Sequence, residues 1–375
     1  MSIREIIYWP HLICGIIAGV IILTLSASGV VLTYERQIIS WAENEYIISV
    51  PDGAASLTID TIAEIVKQAS GNNELRSIKI ENNPQAPVVV RADHYYYVNR
   101  YDGEILGYGP VDLRSFFSDV TSFHRWFLMK GDNRDVSRAI IGTSNLIFLF
   151  ILLSGIYLWL PKVLKWANIR KKVFFHKTRN AHARDFNWHH VFGIWSVIPL
   201  VVIAATGTVF YYSWADSIVE YVVSEEDNLA SINNSTTEPS SPLITEDNVR
   251  SSTDQLFAIA KTQQDEWQSI TMYVPDENEA TTLFDIDKSP GGQPFKIAEL
   301  TLNTTTGQVL NWKPFSAYSP YRKARAVIRF LHTGETLGIL GQTVAGLASL
   351  FACIMVWTGF TLAYRKYITP LFNKQ

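Results

Sequence analysis

Four stretches of this chain carry no charged residue over at least the ~20 positions that a helix needs to cross a ~30 Å hydrocarbon layer. They run approximately Leu12–Tyr34, Ala139–Leu160, Val191–Trp214 and Leu337–Tyr364. All are rich in Ile, Leu, Val and Phe, and all carry the Gly, Ser and Thr that let membrane helices pack closely. Composition alone would pass for an ordinary globular protein, at 47% apolar, 18% charged and a net charge of −3. It is the clustering of the apolar residues that predicts a protein with four transmembrane helices.

Orientation follows from the basic residues of the short loops. Between the second and third stretches stand Lys162, Lys165, Arg170, Lys171, Lys172, Lys177, Arg179 and Arg184 against one acid, Asp185, and the tail adds Arg365, Lys366 and Lys374. Both segments are therefore expected to be cytoplasmic, with both termini inside. The first apolar run exceeds the 7–15 residues of a signal h-region and is flanked only by Arg4, so it reads as retained, although Ser26-Ala27-Ser28 resembles a cleavage site. Cys14 and Cys353 fall inside apolar stretches, which leaves no disulfide framework and no CxxC or CxxCH motif. The predicted organisation is helix 1 (1–36), an exterior domain (37–130), helix 2 (131–161), a basic cytoplasmic loop (162–187), helix 3 (188–214), a second exterior domain (215–330), and helix 4 with its tail (331–375).

The chain also repeats itself. His11-x3-Gly15 followed by Ser28-Gly29 matches His189-x3-Gly193 followed by Thr206-Gly207, with the same spacing of 18 from histidine to second glycine. Gly142 with Ser154-Gly155 matches Gly346 with Thr358-Gly359, and each of those stretches is preceded by a histidine, His124 or His332. The exterior segments correspond as well. Each offers a helix (Ile59–Ser70; Thr253–Thr262) followed by four strand candidates: Ser77–Ile80, Val88–Arg91, Tyr95–Asn99 and Glu104–Leu106 in the first, Ser269–Tyr273, Thr282–Ile286, Glu299–Leu302 and Gln308–Leu310 in the second. The last two of each set flank an Asp102-Gly103 or Thr306-Gly307 turn, a hairpin signal.

This pattern resembles the PepSY-associated transmembrane proteins over nearly the whole chain. The motifs that carry the likeness are Asp102-Gly103-Glu104-Ile105-Leu106, Thr306-Gly307-Gln308-Val309-Leu310, Trp188-His189-His190-x2-Gly193, Phe123-His124-Arg125 and His332-Thr333-Gly334-Glu335. The resemblance implies an α+β membrane protein: a four-transmembrane-helix bundle with two periplasmic PepSY-like α+β domains inserted between helices 1–2 and 3–4, in the inner membrane of a Gram-negative bacterium. Members are best known as ferric or ferrisiderophore reductases, and some bind haem.

The histidines suit that expectation. Four of the eight begin the four spans, His11 and His189 at the cytoplasmic face, His124 and His332 at the outer one. Two imidazoles on facing helices supply the axial ligands of a b-type haem, so two bis-histidine haems are expected, one near each face. Gly15 and Gly193, one turn from His11 and His189, would leave bare backbone for a porphyrin to approach. Arg125 and Arg329, with Arg138 and Arg325, fall where propionates would need forked cationic partners. His190 is an alternative ligand to His189, although it has no counterpart in the repeat. His176 and His182 read as solvated loop residues, and His94 as a surface strand residue. A zinc site is disfavoured by the absence of HExxH.

The expected activity is haem-dependent electron transfer across the membrane to periplasmic Fe(III), with a ferrisiderophore as the expected form, releasing Fe(II). The donor is either a cytoplasmic reductase or a quinol, since no GxGxxG follows a strand. Tyr95–Tyr97, Tyr318 and Tyr321 could line the acceptor's site, with strand packing as their plainer role. The rival reading is a non-enzymatic PepSY membrane regulator or scaffold that modulates a periplasmic protease or other partner.

Overall fold

The computed structural model describes residues 2–230, 251–276, 279–289, 291 and 293–372. They form two compact units: a helical one made of Met1–Glu35, Ser115–Val222 and Val327–Gln375, and a sheet-bearing one made of Arg36–Arg114 and Val223–Ala326.

The helical unit contains the four apolar helices α1 (Ile3–Leu32), α5 (Asn133–Trp159), α7 (Ala181–Tyr211) and α11 (Gly338–Ala363), each long enough to cross a membrane. They pack in the cyclic order α1–α5–α7–α11. Small residues set the contact: Ala204 of α7 lies with Ala348 and Ala352 of α11, closed off by Leu152 and Leu200. Without a hydrophobic drive between helices in lipid, such close backbone approach is what holds a bundle together. Gly19 shows how close it is, because a β-carbon there would stand 2.5 Å from the Phe360 ring.

Two sequence expectations are corrected here. His124 and His332 do not begin spans. They lie in the last turns of separate helices, α4 (Val111–Trp126) and α10 (Pro320–Thr333). After α4 the chain turns through left-handed Phe127 and Leu128 before α5 starts, and after α10 through left-handed Gly334 before α11, whose first residue Gly338 also has a positive φ. The 162–187 segment is not all loop either. It holds α6 (Trp166–Val173), and α7 already begins at Ala181. The buried Asn187 side chain explains the ordering, since it donates to the carbonyls of Lys171 and Phe174 and accepts from the His176 amide.

In the second unit the strands of the two expected domains join in a single sheet. Eight antiparallel strands form one sheet in the order β4-β3-β2-β1-β5-β6-β7-β8. The first four are Ser77–Glu81, Val88–Arg91, Tyr95–Val98 and Ile105–Gly107; the last four are Ser269–Tyr273, Thr281–Asp287, Ile297–Asn303 and Val309–Pro314. The repeats join where β1 pairs with β5, Ile78 opposite Met272 and Ile80 opposite Ile270. The alternating pattern of these strands puts Ile78, Val88, Val90, Ile270, Phe284, Ile286, Leu300 and Leu302 on one buried face. Over that face lie the helices α3 (Ile59–Ala69) and α9 (Thr253–Thr262), through Ile62, Val66, Leu256 and Phe257.

These two helices cap one another. Asp254 accepts from the amides of Ile59 and Asp60, at 2.8 and 3.1 Å, while Asp60 accepts from those of Thr253 and Asp254, at 2.9 and 3.4 Å. Each carboxylate thus serves the exposed amides at the start of the other helix.

Candidate functional site

Every one of the four histidines that the repeat singles out meets the same partner, the hydroxyl of a Ser-Gly or Thr-Gly pair on another element. His11 Nδ1 lies 2.9 Å from Ser154 Oγ, His124 Nδ1 2.8 Å from Ser28 Oγ, His189 Nδ1 3.0 Å from Thr358 Oγ1, and His332 Nδ1 3.0 Å from Thr206 Oγ1. At His189 and His332 a carbonyl three residues before the hydroxyl is a second partner for the same nitrogen, Met355 at 3.1 Å and Ile203 at 3.0 Å; the Ile151 and Leu25 carbonyls bond the rings of His11 and His124.

This geometry bears on which nitrogen carries the proton. Each hydroxyl can give its hydrogen to a carbonyl of its own helix, Ser28 to Thr24, Ser154 to Phe150, Thr206 to Val202 and Thr358 to Ile354, at 2.7 to 2.8 Å. At His189 and His332 the Met355 and Ile203 carbonyls can only accept, which puts the proton on Nδ1 and leaves Nε2 for a ligand, and the hydroxyl contacts of His11 and His124 are compatible with the same tautomer. A histidine whose outer N–H is fixed in this way is oriented and tautomer-set for ligation through the other nitrogen.

The glycine that follows each hydroxyl seats the ring. A β-carbon at Gly29, Gly155, Gly207 or Gly359 would stand 3.8, 3.4, 3.4 or 3.6 Å from Cε1 of the corresponding histidine. The sequence shows these pairs as repeat markers at constant spacing. Their role as imidazole partners emerges only when helices are brought together.

The four sites form two levels. His11 and His189 meet α5 and α11 near one end of the bundle, and His124 and His332 meet α1 and α7 near the other. Seventeen residues separate His11 from Ser28 and His189 from Thr206, so the levels are about 25 Å apart along either helix.

His190 differs from its neighbour. Its Nδ1 bonds back to Phe186 of its own helix, 2.8 Å away, and its ring packs on the Phe186 ring. Space beside Gly15 is free of other side chains, since a β-carbon there would meet no atom within 4 Å, while at Gly193 it would meet Met355 Sδ at 3.4 Å. Arg138 donates to the Tyr211 carbonyl at 3.1 Å, and the Tyr211 hydroxyl donates to the Arg125 backbone carbonyl at 3.3 Å. Arg125 and Arg329 lie against the rings of Trp126 and Phe330.

One residue that sequence reading passed over belongs to the His189 level. Asp185, one turn before His189 on α7, is 2% exposed. It pairs with Arg365 at 3.0 Å and Arg184 at 2.9 Å and accepts from Thr361 at 3.3 Å. At the matching position of α1 stands Ile7, so the two halves of the repeat differ here. The exterior tyrosines are engaged in packing: Tyr96 and Tyr97 are buried, Tyr95 lies beneath the Arg114 guanidinium, and Tyr318 beneath that of Arg322.

The donor set fits haem. Two imidazoles per level, each anchored through Nδ1, are a donor set that a b-type haem would take, His11 with His189 and His124 with His332. Among the described residues no three His, Cys, Asp or Glu side chains gather into a cluster, and bis-imidazole ligation needs none. Comparison with known proteins adds one finding: the family model described as the PepSY-associated TM region matches residues 8–366. No curated protein matches the chain.

Proposed function

Because the chain belongs to the PepSY-associated transmembrane family, we propose that it is a membrane-embedded oxidoreductase that passes electrons between its two histidine levels to a ferric substrate. What carries this reading is the four-fold recurrence of an imidazole with Nδ1 tied to a Ser or Thr hydroxyl. A purely structural histidine needs no such uniform anchor at both ends of a bundle.

In this reading His11 and His189 hold one haem b and His124 and His332 a second. Haem bound there supplies a one-electron Fe(III)/Fe(II) couple in a dry interior. The protein's own work is positional. Ser154, Thr358, Ser28 and Thr206 hold the imidazoles in orientation through their Nδ1 atoms. The open ground at Gly15 and the arginines Arg125 and Arg138 suit a flat macrocycle with carboxylate arms, Arg being the residue that pairs best with carboxylates.

In this reading the membrane is a bacterial inner membrane, and the basic segment and tail favour the cytoplasmic side for His11 and His189 by the positive-inside rule. Electrons then travel outward and meet Fe(III), held by a chelator such as a siderophore, on the periplasmic side. Reduction weakens hard oxygen ligation of the iron and releases Fe(II). The test is the reduced-minus-oxidised visible spectrum of the purified protein with haem counted per chain. Two b-type haems per chain support the reading. A colourless protein, produced with ample haem, overturns it and favours a regulatory PepSY module.

A further inference from the structure

α7 and α11 do not close completely against one another. Between them lies a laterally open groove of about 360 Å³ whose walls include Phe175, Phe192, Trp195, Ser196, Pro199 and Phe351. Four of these are aromatic, and the rings of Phe175, Phe192 and Phe351 form a continuous set, 5.1 and 4.7 Å between centroids. The volume falls in the range of small-molecule sites, and apolar walls with a few placed polar atoms are their usual make-up.

The polar atoms here are acceptors. Ser196, buried on this face, donates its proton to the Phe192 carbonyl at 2.7 Å and keeps its oxygen lone pairs. Pro199 has no amide to offer the carbonyl of Trp195, one turn earlier on the same helix. A lipid acyl chain could use neither atom. A flat ring bearing hydroxyl groups could stack on the phenylalanines and donate to both. Position matters too: Phe192 and Ser196 follow His189 by three and seven residues, so the groove starts within about 5–10 Å of that imidazole level along the helix axis.

We propose that this groove binds the ring of a lipid-phase quinol and that the quinol is the electron donor, an inference that rests on the oxidoreductase reading above. The overall reaction balances with one quinol and two ferric substrates. The quinol loses two electrons and two protons to become the quinone, two Fe(III) become two Fe(II), and the protons pass to water.

The test uses the full chain in liposomes with a short-tailed benzoquinone that carries a photoreactive azide on its ring. Labelling should concentrate in the peptides holding Phe192–Pro199 and Val344–Phe351 and be displaced by unlabelled quinone. Val344→Phe with Leu347→Trp fills the groove from positions that are 53% and 47% exposed, which spares the packing, and should cut labelling at least tenfold. Ile17→Trp, a control on the exposed face of α1, should leave it unchanged. Label spread evenly over all four apolar helices, or undiminished by the filled groove, overturns the proposal. Binding is read without haem, so the two failures can be told apart. A two-haem spectrum without specific labelling sinks only the quinol site, and specific labelling of a colourless protein sinks the oxidoreductase and with it the quinol's role as donor, leaving a ring-binding groove.

Discussion

Asp185 Oδ2 lies 3.0 Å from Arg365 Nη1, and this ion pair ties the first turn of α7 to the chain just beyond α11. One turn further in, His189 meets Thr358 across the same two helices. Removing one partner of a well-buried pair costs about 3–5 kcal/mol because the other charge is left without compensation. Here Arg184 and Arg365 retain 47% and 34% exposure, so water takes up part of the loss. Asp185→Asn is expected to destabilise the bundle by about 2 kcal/mol, seen as a lower thermal midpoint of the detergent-purified protein, and Asp185→Leu with Arg365→Leu should recover part of it. An Asp185→Asn protein with an unchanged midpoint would refute the clamp.

The hydroxyl anchors predict a level-specific effect. Ser154→Ala with Thr358→Val removes both hydroxyls at the His11/His189 level and leaves Ile151 and Met355 as carbonyl partners. Loss of an outer-shell partner to a ligating histidine typically weakens binding 10–100-fold. With the carbonyls still present, the expected change is about tenfold in haem affinity at that level. Ser28→Ala with Thr206→Val should do the same at the other level only. Haem titration of the apoprotein followed spectroscopically checks both.

Two glycines should respond in opposite ways. At Gly341 a β-carbon would sit 2.1 Å from the Gly334 carbonyl oxygen, a backbone atom that cannot turn aside. Gly341→Ala should therefore cost about 1–3 kcal/mol and disturb the turn before α11. Gly15→Leu meets no protein atom near its β-carbon, so the fold should persist with an unchanged thermal midpoint. In the proposed function that leucine occupies cofactor space, and the haem count should fall towards one per chain. Two haems in Gly15→Leu would place the cofactor elsewhere.

The reciprocal caps of α3 and α9 make a pH prediction for the sheet unit. Burial pushes the Asp60 carboxyl up, but hydrogen bonds from the Thr253 side chain and from the Thr253 and Asp254 amides outweigh it, leaving the group below its ordinary value. A depressed folded value means the stabilisation is fully present above about pH 4, the unfolded value, and is lost as pH falls through the folded one. Asp60→Ala should cost about 1–2 kcal/mol at neutral pH and almost nothing in acid. Amide exchange at Thr253 and Asp254 followed against pH measures it.

Much of this was legible in the chain itself. Uncharged runs reveal the four spans because lipid tolerates so few charges, and alternation located β2, β5 and α9 to the residue at both ends. The repeat spacing marked His11, His124, His189 and His332. Other features depend on distant parts of the chain meeting. The turn that separates α4 from α5 is made by Phe127 and Leu128, apolar residues in a left-handed conformation that no local propensity favours. The pairing of β1 with β5 is a register between segments from the two halves, set by which faces are buried. Asp185 looked like a lone acid among solvated cations, since burial by Arg365 and Thr361 cannot be read from its neighbours in sequence.

The β1–β5 seam also sets a timetable for biogenesis. β1 sits in the interior of the finished sheet, yet about 190 residues separate it from the strand that covers its second side. At a synthesis rate of about 5–20 residues per second, the nascent first half must wait on the order of 10–40 seconds with the hydrogen-bonding edge of Ser77–Glu81 open. An open edge is a template for wrong partners, including the same strand of a neighbouring nascent chain. The first repeat is therefore a folding intermediate by construction, and a chain interrupted before Ser269 would be left adhesive rather than half-functional.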